Sequence, residues 1–260
     1  MIKVGHDLSD VEIEQRYTAV AASLTMPRYF YSFVAQFAVN ISALRVLDVG
    51  CGNGQLLAEL IHRFPGSHFW GTELSSGRLR LAQQSLGYHA LLLQTGVDGY
   101  IPFKDYAFDL IFVTEVIEHL KQPVLFLQEI YRILAPSGRL VLTTPNSDAF
   151  PLWPYFVALA EKYPDVALFQ YFLPYEHPKR TVQPIDTVLS SEEVRSILCK
   201  SGFTPLRLYG REAFPFLFAF PGFRGLDYRG LFPRSHLDAL FNKLGLAKLC
   251  YRMFWECGKV

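Results

Sequence analysis

Short, nearly continuous apolar segments alternate with amphipathic segments through the middle of the chain. The segment 108–115, FDLIFVTE, is apolar almost throughout, as is typical of a parallel strand that is buried on both faces. Strands that alternate with helices predict a mostly parallel, doubly wound α/β sheet. The first predicted strand ends near Leu47, and the others cover residues 68–74, 90–96, 108–115, 139–146, 203–211 and 213–220.

Helical signals lie at both ends of this pattern. A capping box at Ser9 predicts a helix through Ala22, and an apolar stripe predicts a second helix over 28–40. Both helices precede the first strand, so we expect them to cover a ligand cleft. The phenylalanines of 213–220 alternate with period two and predict a strand, whereas the tail from about Ser235 is predicted as an amphipathic helix.

Composition narrows the class of protein. Half of the 260 residues are hydrophobic and the net charge is +1, so we expect a globular domain without a broad attraction for nucleic acid or anionic membranes. No apolar run approaches the roughly 18 residues of a membrane helix, and the N-terminus lacks the apolar core of a signal peptide. The cysteines are widely spaced without metal-binding pairs, as is typical of a reduced cytoplasmic protein. The oligomeric state stays open.

The clearest chemical signal is the stretch RVLDVGCGNGQ, residues 45–55. Gly50, Gly52 and Gly54 allow a sharp turn between a strand and a helix, with no Cβ between the backbone and a ligand. The following helix directs its positively polarised amide end toward that ligand. A dinucleotide-binding fold uses the spacing G-x-G-x-x-G, whereas the spacing here is G-x-G-x-G. The carboxylate of Asp48 suits a ligand with an ammonium group and a sulfonium better than a pyrophosphate.

This stretch resembles motif I of the class I S-adenosylmethionine-dependent methyltransferases. The resemblance implies a Rossmann-like, doubly wound α/β fold with a seven-stranded, mostly parallel sheet, a C-terminal antiparallel hairpin, N-terminal lid helices and an insertion after strand 5. It implies S-adenosyl-L-methionine as the cofactor, with Glu73 on the ribose hydroxyls, Leu74 against the adenine and Asp98 accepting from the adenine amino group. The implied cofactor-binding residues are Asp48, Gly50, Cys51, Gly52, Gly54, Glu73, Leu74, Asp98 and Thr114.

The resemblance also divides the chain, which we predict to be a single class I methyltransferase domain. Its segments are lid helices at 1–40, a cofactor-binding core at 41–148, a substrate-side insertion at 149–187, the last helix and hairpin at 188–222, and a C-terminal helical extension at 223–260.

The segment 113–146 is similar to the small-molecule branch of the family, which includes the ubiquinone-biosynthesis O-methyltransferases. Its E-H signature is Glu118 and His119, and these or His177 are expected as general base or substrate contact. The structural alternative is capping or pairing at the start of a helix. If this segment is helical, Glu115 shares one face with the E-H pair, and His177 would complete a divalent-metal site. The small-RNA 3′-terminal 2′-O-methyltransferases use such a site.

The sequence therefore predicts an enzyme that moves a methyl group to oxygen or carbon of a small, fairly apolar acceptor, without a bound metal. The chain lacks the basic excess of an RNA enzyme, so no nucleic-acid partner is expected, and a metal-dependent RNA 2′-O-methyltransferase is the first alternative. A non-catalytic methyltransferase-fold partner subunit is the second alternative. The glycine spacing disfavours a dehydrogenase.

Overall fold

The fold is organised by a central β-sheet. The computed structural model describes residues 3–4, 7–19, 28–38, 44–96, 99–149, 162–163, 186–212 and 234–259. The strands in these ranges are β1 (Lys3–Val4), β2 (Arg45–Val49), β3 (His68–Glu73), β4 (Leu91–Gln94), β5 (Phe108–Thr114), β6 (Leu134–Pro145), β7 (Asp186–Thr187), β8 (Phe203–Arg211) and β9 (Arg252–Lys259).

Seven of the described strands form the central sheet in the order β4-β3-β2-β5-β6-β9-β8. The strands β2 to β6 pair in parallel, whereas β9 runs antiparallel to both of its neighbours. Separately, β1 pairs with β7. The helices in the described ranges are α1 (Asp10–Ala19), α2 (Arg28–Val34), α3 (Gln55–Arg63), α4 (Ser76–Leu86), α5 (Pro123–Ile133), α6 (Ser191–Lys200) and α7 (Arg234–Lys243).

The strand β5 shows why this sheet is covered on both faces. Ile111 and Val113 belong to an apolar cluster on one face, and Leu110 and Phe112 belong to a cluster on the other. All four side chains are buried, as the near-continuous apolar sequence of this strand predicts. The predicted fold class is confirmed: an α/β, Rossmann-like, mostly parallel seven-stranded sheet with antiparallel C-terminal strands.

The C-terminal part of the sheet corrects the predicted position of the last strand. The first antiparallel strand, β8, lies at the predicted residues. The second is β9, so residues 252–259 form a strand between β6 and β8 and not part of the predicted helical extension 223–260. Trp255 packs on one face of β9 and Phe254 on the other. The predicted strand 213–220 lies outside the described residues.

The segment after β5 also differs from its prediction. From the sequence, we consider a helix over residues 115–119 directly after this strand, but a single 3-10 turn at Ile117–His119 precedes α5. Pro123 begins α5 because proline fits the first helical turn, where its missing N–H removes no helical hydrogen bond. No helix in the described ranges is long and apolar enough to cross a membrane.

Candidate active site

The glycine turn lies at the carboxyl end of β2, between the neighbouring strands β3 and β5. The N–H groups of Gly50 and Cys51 donate to Thr72 O at 2.8 and 2.9 Å, which ties the turn to β3. Gly54 is the N-cap of α3 with a left-handed φ of 82°, and no side chain caps this helix. The amide end of α3 is therefore not occupied by a capping side chain, and it provides an electrostatically favourable position for a polar ligand.

Neighbouring side chains lie so close to the backbone at both ends of the turn that only glycine fits there. A Cβ at Gly50 would lie 2.5 Å from Val116 Cγ2, and one at Gly54 would lie 2.7 Å from Leu86 Cδ1. At Gly52 a Cβ would meet nothing within 4 Å, although φ is +56° there. The backbone of Gly52 thus faces open space, and Gly50 and Gly54 hold the turn against its neighbours.

Buried carboxylates border this turn. Glu73 accepts the N–H of Gly52 at Oε2 (2.8 Å) and the N–H of Ser75 at Oε1 (2.9 Å). Asp48 is 2% exposed, and its Oδ1 has no hydrogen-bond partner among the described residues. Burial, reinforced by the negative charge of Glu73, raises the pKa of Asp48 to about 8. A cationic ligand group would supply both the missing donor and the missing countercharge.

These groups line a cavity of about 440 Å³, which is within the usual range of small-molecule sites. The cavity runs from the glycine turn past the end of β5 to residues 115–121, and Ile13 and Tyr17 of α1 also line it. The sequence-predicted site residues on its wall are Asp48, Gly50, Cys51, Gly52, Glu73, Leu74, Thr114, Glu118 and His119. Gly54 packs against α4 and is not a lining residue.

The E-H pair also lines this cavity. Glu118 is 2% exposed and accepts a hydrogen bond from Thr144 Oγ1 at 3.0 Å. Its Oε1 lies 3.8 Å from His119 Nε2, close enough for the carboxylate to stabilise a protonated imidazole. The ring of Tyr17 meets the imidazole edge to face, with centroids 6.1 Å apart. Thr114, at the end of β5, contributes a buried Oγ1 that has no partner among the described residues.

Glu115 is placed differently from its prediction. Its φ is +54°, so it does not share a helix face with Glu118 and His119. Its carboxylate pairs with the partly buried Arg252 of β9 and accepts a hydrogen bond from Thr143 Oγ1 at 2.9 Å. The geometric premise of the predicted metal half-site is therefore wrong for Glu115.

Two predicted residues, Asp98 and His177, lie outside the described residues. Within the described ranges, no group of three or more His, Cys, Asp or Glu side chains is arranged to hold a metal ion. Since His177 was the predicted fourth ligand, the metal alternative stays untested.

Sequence reasoning missed several residues that line the cavity, among them Tyr31, Arg78, Lys121 and Arg252. Lys121 follows the E-H pair by two residues, and its ammonium donates to Leu8 O and lies 3.6 Å from Asp10 Oδ1. This proximity to the E-H pair was a usable signal. Arg252 gave none, because its segment reads as a helix in the sequence and reaches the cavity only as a strand.

Comparisons with known proteins agree with this geometry. A family model described as a methyltransferase domain matches residues 47–142. A malonyl-acyl-carrier-protein O-methyltransferase of Legionella pneumophila is 31% identical over 113 residues, which cover 43% of this chain and 40% of that protein. A mitochondrial ubiquinone biosynthesis O-methyltransferase of Mus musculus is 31% identical over 116 residues, covering 41% of this chain and 30% of that protein. The chain thus spans well under half the length of these relatives.

A solved structure supports the fold over a longer span. The crystal structure of the (4+2)-cyclase SpnF superposes with a TM-score of 0.60, covering 98% of this chain and 96% of that one at 16% identity. At this identity the likeness shows the fold alone, since one fold serves many activities.

Proposed function

We propose that this chain is a class I S-adenosylmethionine-dependent methyltransferase that transfers the donor's methyl group to oxygen or carbon of a small, fairly apolar acceptor. The match of residues 47–142 to a methyltransferase-domain model supports this proposal. The observation that carries the proposal is the continuous cavity that joins the glycine turn and its buried carboxylates to Glu118 and His119. A donor and an acceptor can meet in such a cavity away from bulk water, which is the main requirement of this substitution.

The residues at the donor end fit S-adenosylmethionine. Asp48 holds a buried oxygen without a donor, and an ammonium group would satisfy it. Each oxygen of Glu73 accepts one backbone N–H and keeps lone pairs for ribose hydroxyls. Gly52 leaves open space at the backbone. When bound, the donor supplies a methyl group on a positively charged sulfur.

The residues at the acceptor end hold and move a proton. His119 takes up the proton of a hydroxyl acceptor at a ring nitrogen, and the carboxylate of Glu118 stabilises the resulting imidazolium. Thr144 holds that carboxylate in place through its 3.0 Å hydrogen bond. His177, a further candidate base from the sequence, stays a prediction.

An oxygen acceptor is favoured by the names of the two relatives described above, which are O-methyltransferases. A small acceptor agrees with the ubiquinone-pathway name of one relative and with the cavity volume. The absence of a nucleic-acid partner and the cytoplasmic location stay predictions from the sequence.

Calorimetric titration with S-adenosylhomocysteine tests the proposal. We expect binding in the micromolar range, lost in Gly52→Arg, which fills the open space at the turn, and in Asp48→Ala, which removes the ammonium partner. Gly66→Arg is the matched control, because Gly66 is exposed, has open space around it and lies in the loop before β3, at the opposite end of that strand from Glu73. If the wild-type protein gives neither heat nor a thermal shift, the proposal is wrong.

The same preparation separates the alternatives. Stoichiometric metal that is lost in Glu118→Ala would favour the metal-dependent RNA enzyme. Weak donor binding together with a copurifying chain would favour the partner subunit. Methylation assays with phenolic and carboxylic acceptors then address the acceptor atom.

A further inference from the structure

Arg78 is a cationic residue that lines the cavity and has no role in the proposed function as described above. It lies in the first turn of α4, where its backbone N–H donates to Oγ of the N-cap Ser75 at 3.3 Å. Its side-chain Nε and Nη2 are buried and have no hydrogen-bond partner in the described part of the chain. The residue lines the same cavity as Leu74 and Thr95.

Burial without an acceptor among the described residues disfavours these two guanidinium donors. Buried donors of a charged group are costly when no acceptor faces them. The position adds to the cost, because the positive end of the α4 dipole disfavours a cation in the first turn. Glu73, the cavity carboxylate at the end of the preceding strand, accepts backbone N–H groups of Gly52 and Ser75. Glu73 therefore does not serve Nε or Nη2 of Arg78 as an acceptor, and an electron-rich group of a ligand would supply the acceptor that these two donors lack.

The surroundings of Arg78 favour a purine over an anion. Thr95 N–H donates to Glu73 O at 3.1 Å and Gln94 Nε2 donates to Leu74 O at 3.1 Å, so the ends of β3 and β4 lie side by side here. Leu74 packs against the apolar cluster of α1 and offers an apolar surface to the flat face of a base. The carboxylate of Glu73 would repel a phosphate held nearby. A purine combines apolar faces with edge nitrogens that accept hydrogen bonds.

We propose that Arg78 recognises the adenine ring of the methyl donor by donating a hydrogen bond to one of its ring nitrogens. This inference rests on the proposed function, because it concerns the donor in the same cavity. Arg78 is then a specificity-determining residue for the base, and the apolar surface of Leu74 supports the ring beside it.

The test is calorimetric titration of the wild-type protein, Arg78→Met and Arg80→Met with four ligands. These are S-adenosylhomocysteine and its analogues in which CH replaces N1, N3 or N7 of the base. The wild-type protein is expected to bind one analogue roughly tenfold more weakly, or worse, than the parent compound. Arg78→Met is expected to bind the parent compound more weakly than the wild-type protein does, by a similar factor. The variant is expected to bind the parent compound and that analogue with equal affinity. Arg80→Met is the matched control, since Arg80 lies on the same helix and is exposed.

Each other outcome has a defined meaning. Wild-type binding that is the same for all four ligands, or a discrimination that Arg78→Met retains, overturns the role of Arg78 and leaves the proposed function intact. If inorganic phosphate competes with S-adenosylhomocysteine and this competition disappears in Arg78→Met, then Arg78 binds an anion and not the base. That result also overturns the inference. If the wild-type protein binds none of the four ligands, the proposed function and this inference fail together. Circular dichroism melting of both variants excludes misfolding as the cause of a loss.

Discussion

The charged form of Asp48 is electrostatically unfavourable in the folded protein. Its pKa is raised from 3.8 to about 8 because burial and the nearby Glu73 disfavour its charged form. As the pH rises from about 4 to about 8, the unfolded chain releases a proton that the folded chain retains. The folded state therefore loses stability over this window, and a bound cation would recover it.

Asp48→Asn separates this cost from ligand binding. The amide has a similar shape and does not titrate, so the melting temperature of the variant is expected to rise relative to the wild type as the pH increases from about 4 to about 8. We expect the free energy of unfolding of the variant to increase by at least about 1 kcal/mol relative to the wild type, which corresponds to a rise of the melting temperature by roughly 2–4 °C for a domain of this size. Binding of S-adenosylhomocysteine is expected to weaken, because an amide does not pair with an ammonium group. Thermal melts across pH and calorimetry measure both effects.

A melting-temperature difference that stays constant with pH would show that Asp48 is already ionised in the free protein. A second readout is proton release. Wild-type binding at neutral pH is expected to release a proton, so its apparent enthalpy depends on the ionisation enthalpy of the buffer, whereas Asp48→Asn shows no such dependence.

At the residue scale, the sequence predicted side chains whose chemistry follows from a local motif. Asp48 and Glu73 lie at the carboxyl ends of strands, Glu118 and His119 belong to a short signature, and all four line the cavity. Arg78 belongs to no such motif, and the burial of two of its donors without a partner among the described residues is a tertiary property. No local pattern distinguishes it from the exposed Arg80.

The glycine turn shows at the element scale how two similar glycines differ in what they require. Gly50 and Gly52 both have positive φ, but only the Cβ of a residue at Gly50 would meet Val116, at 2.5 Å. A left-handed conformation costs an L-residue roughly 1–2 kcal/mol. Gly52→Ala is destabilised by this backbone strain alone. Gly50→Ala is destabilised by the same strain and also by the steric overlap with Val116.

We therefore expect Gly50→Ala to unfold at a lower temperature than Gly52→Ala, by an amount that corresponds to at least about 1 kcal/mol. Val116→Ala in the Gly50→Ala background is expected to recover part of the difference, because it removes the overlapping methyl groups. Denaturant unfolding of the three variants and the wild type measures this. Equal stability of the two single variants would mean that β5 and its following loop move away from the turn at no cost.

The last strand shows where element prediction from sequence stops. In the segment 252–259, Met253, Trp255 and Cys257 join one apolar cluster and Phe254 joins the other. Periodicity does not separate such a short, doubly buried segment from a helix. Its place between β6 and β8 depends on long-range pairing that local sequence does not encode. By contrast, β2, β3 and β5 were predicted well, because each is bounded by turn residues and followed by a helical pattern.

At the scale of the whole molecule, the sheet brings residues from distant parts of the chain to one cavity, and α1 closes part of it. Among its described side chains, Ile13 and Tyr17 are buried, and Val11 is 64% exposed. The helix is also attached through Gln94 Nε2, which donates to Glu14 Oε1 at 3.1 Å, and through Lys121 Nζ, which lies 3.6 Å from Asp10 Oδ1. By contrast, α5 buries Leu127, Ile130 and Ile133 completely.

This contrast predicts how the molecule responds to its donor. A helix with few buried apolar contacts opens locally at low free energy, so the amides of α1 are expected to exchange hydrogen much faster than those of α5 in the free protein. Since Ile13 and Tyr17 line the cavity, bound S-adenosylhomocysteine is expected to slow exchange in α1 by roughly tenfold or more, by linkage, and to change α5 little. Hydrogen–deuterium exchange with mass spectrometry measures both helices in one experiment. Slow exchange of α1 without ligand would instead make this helix part of the stable core, and the cavity would then be preformed before the donor arrives.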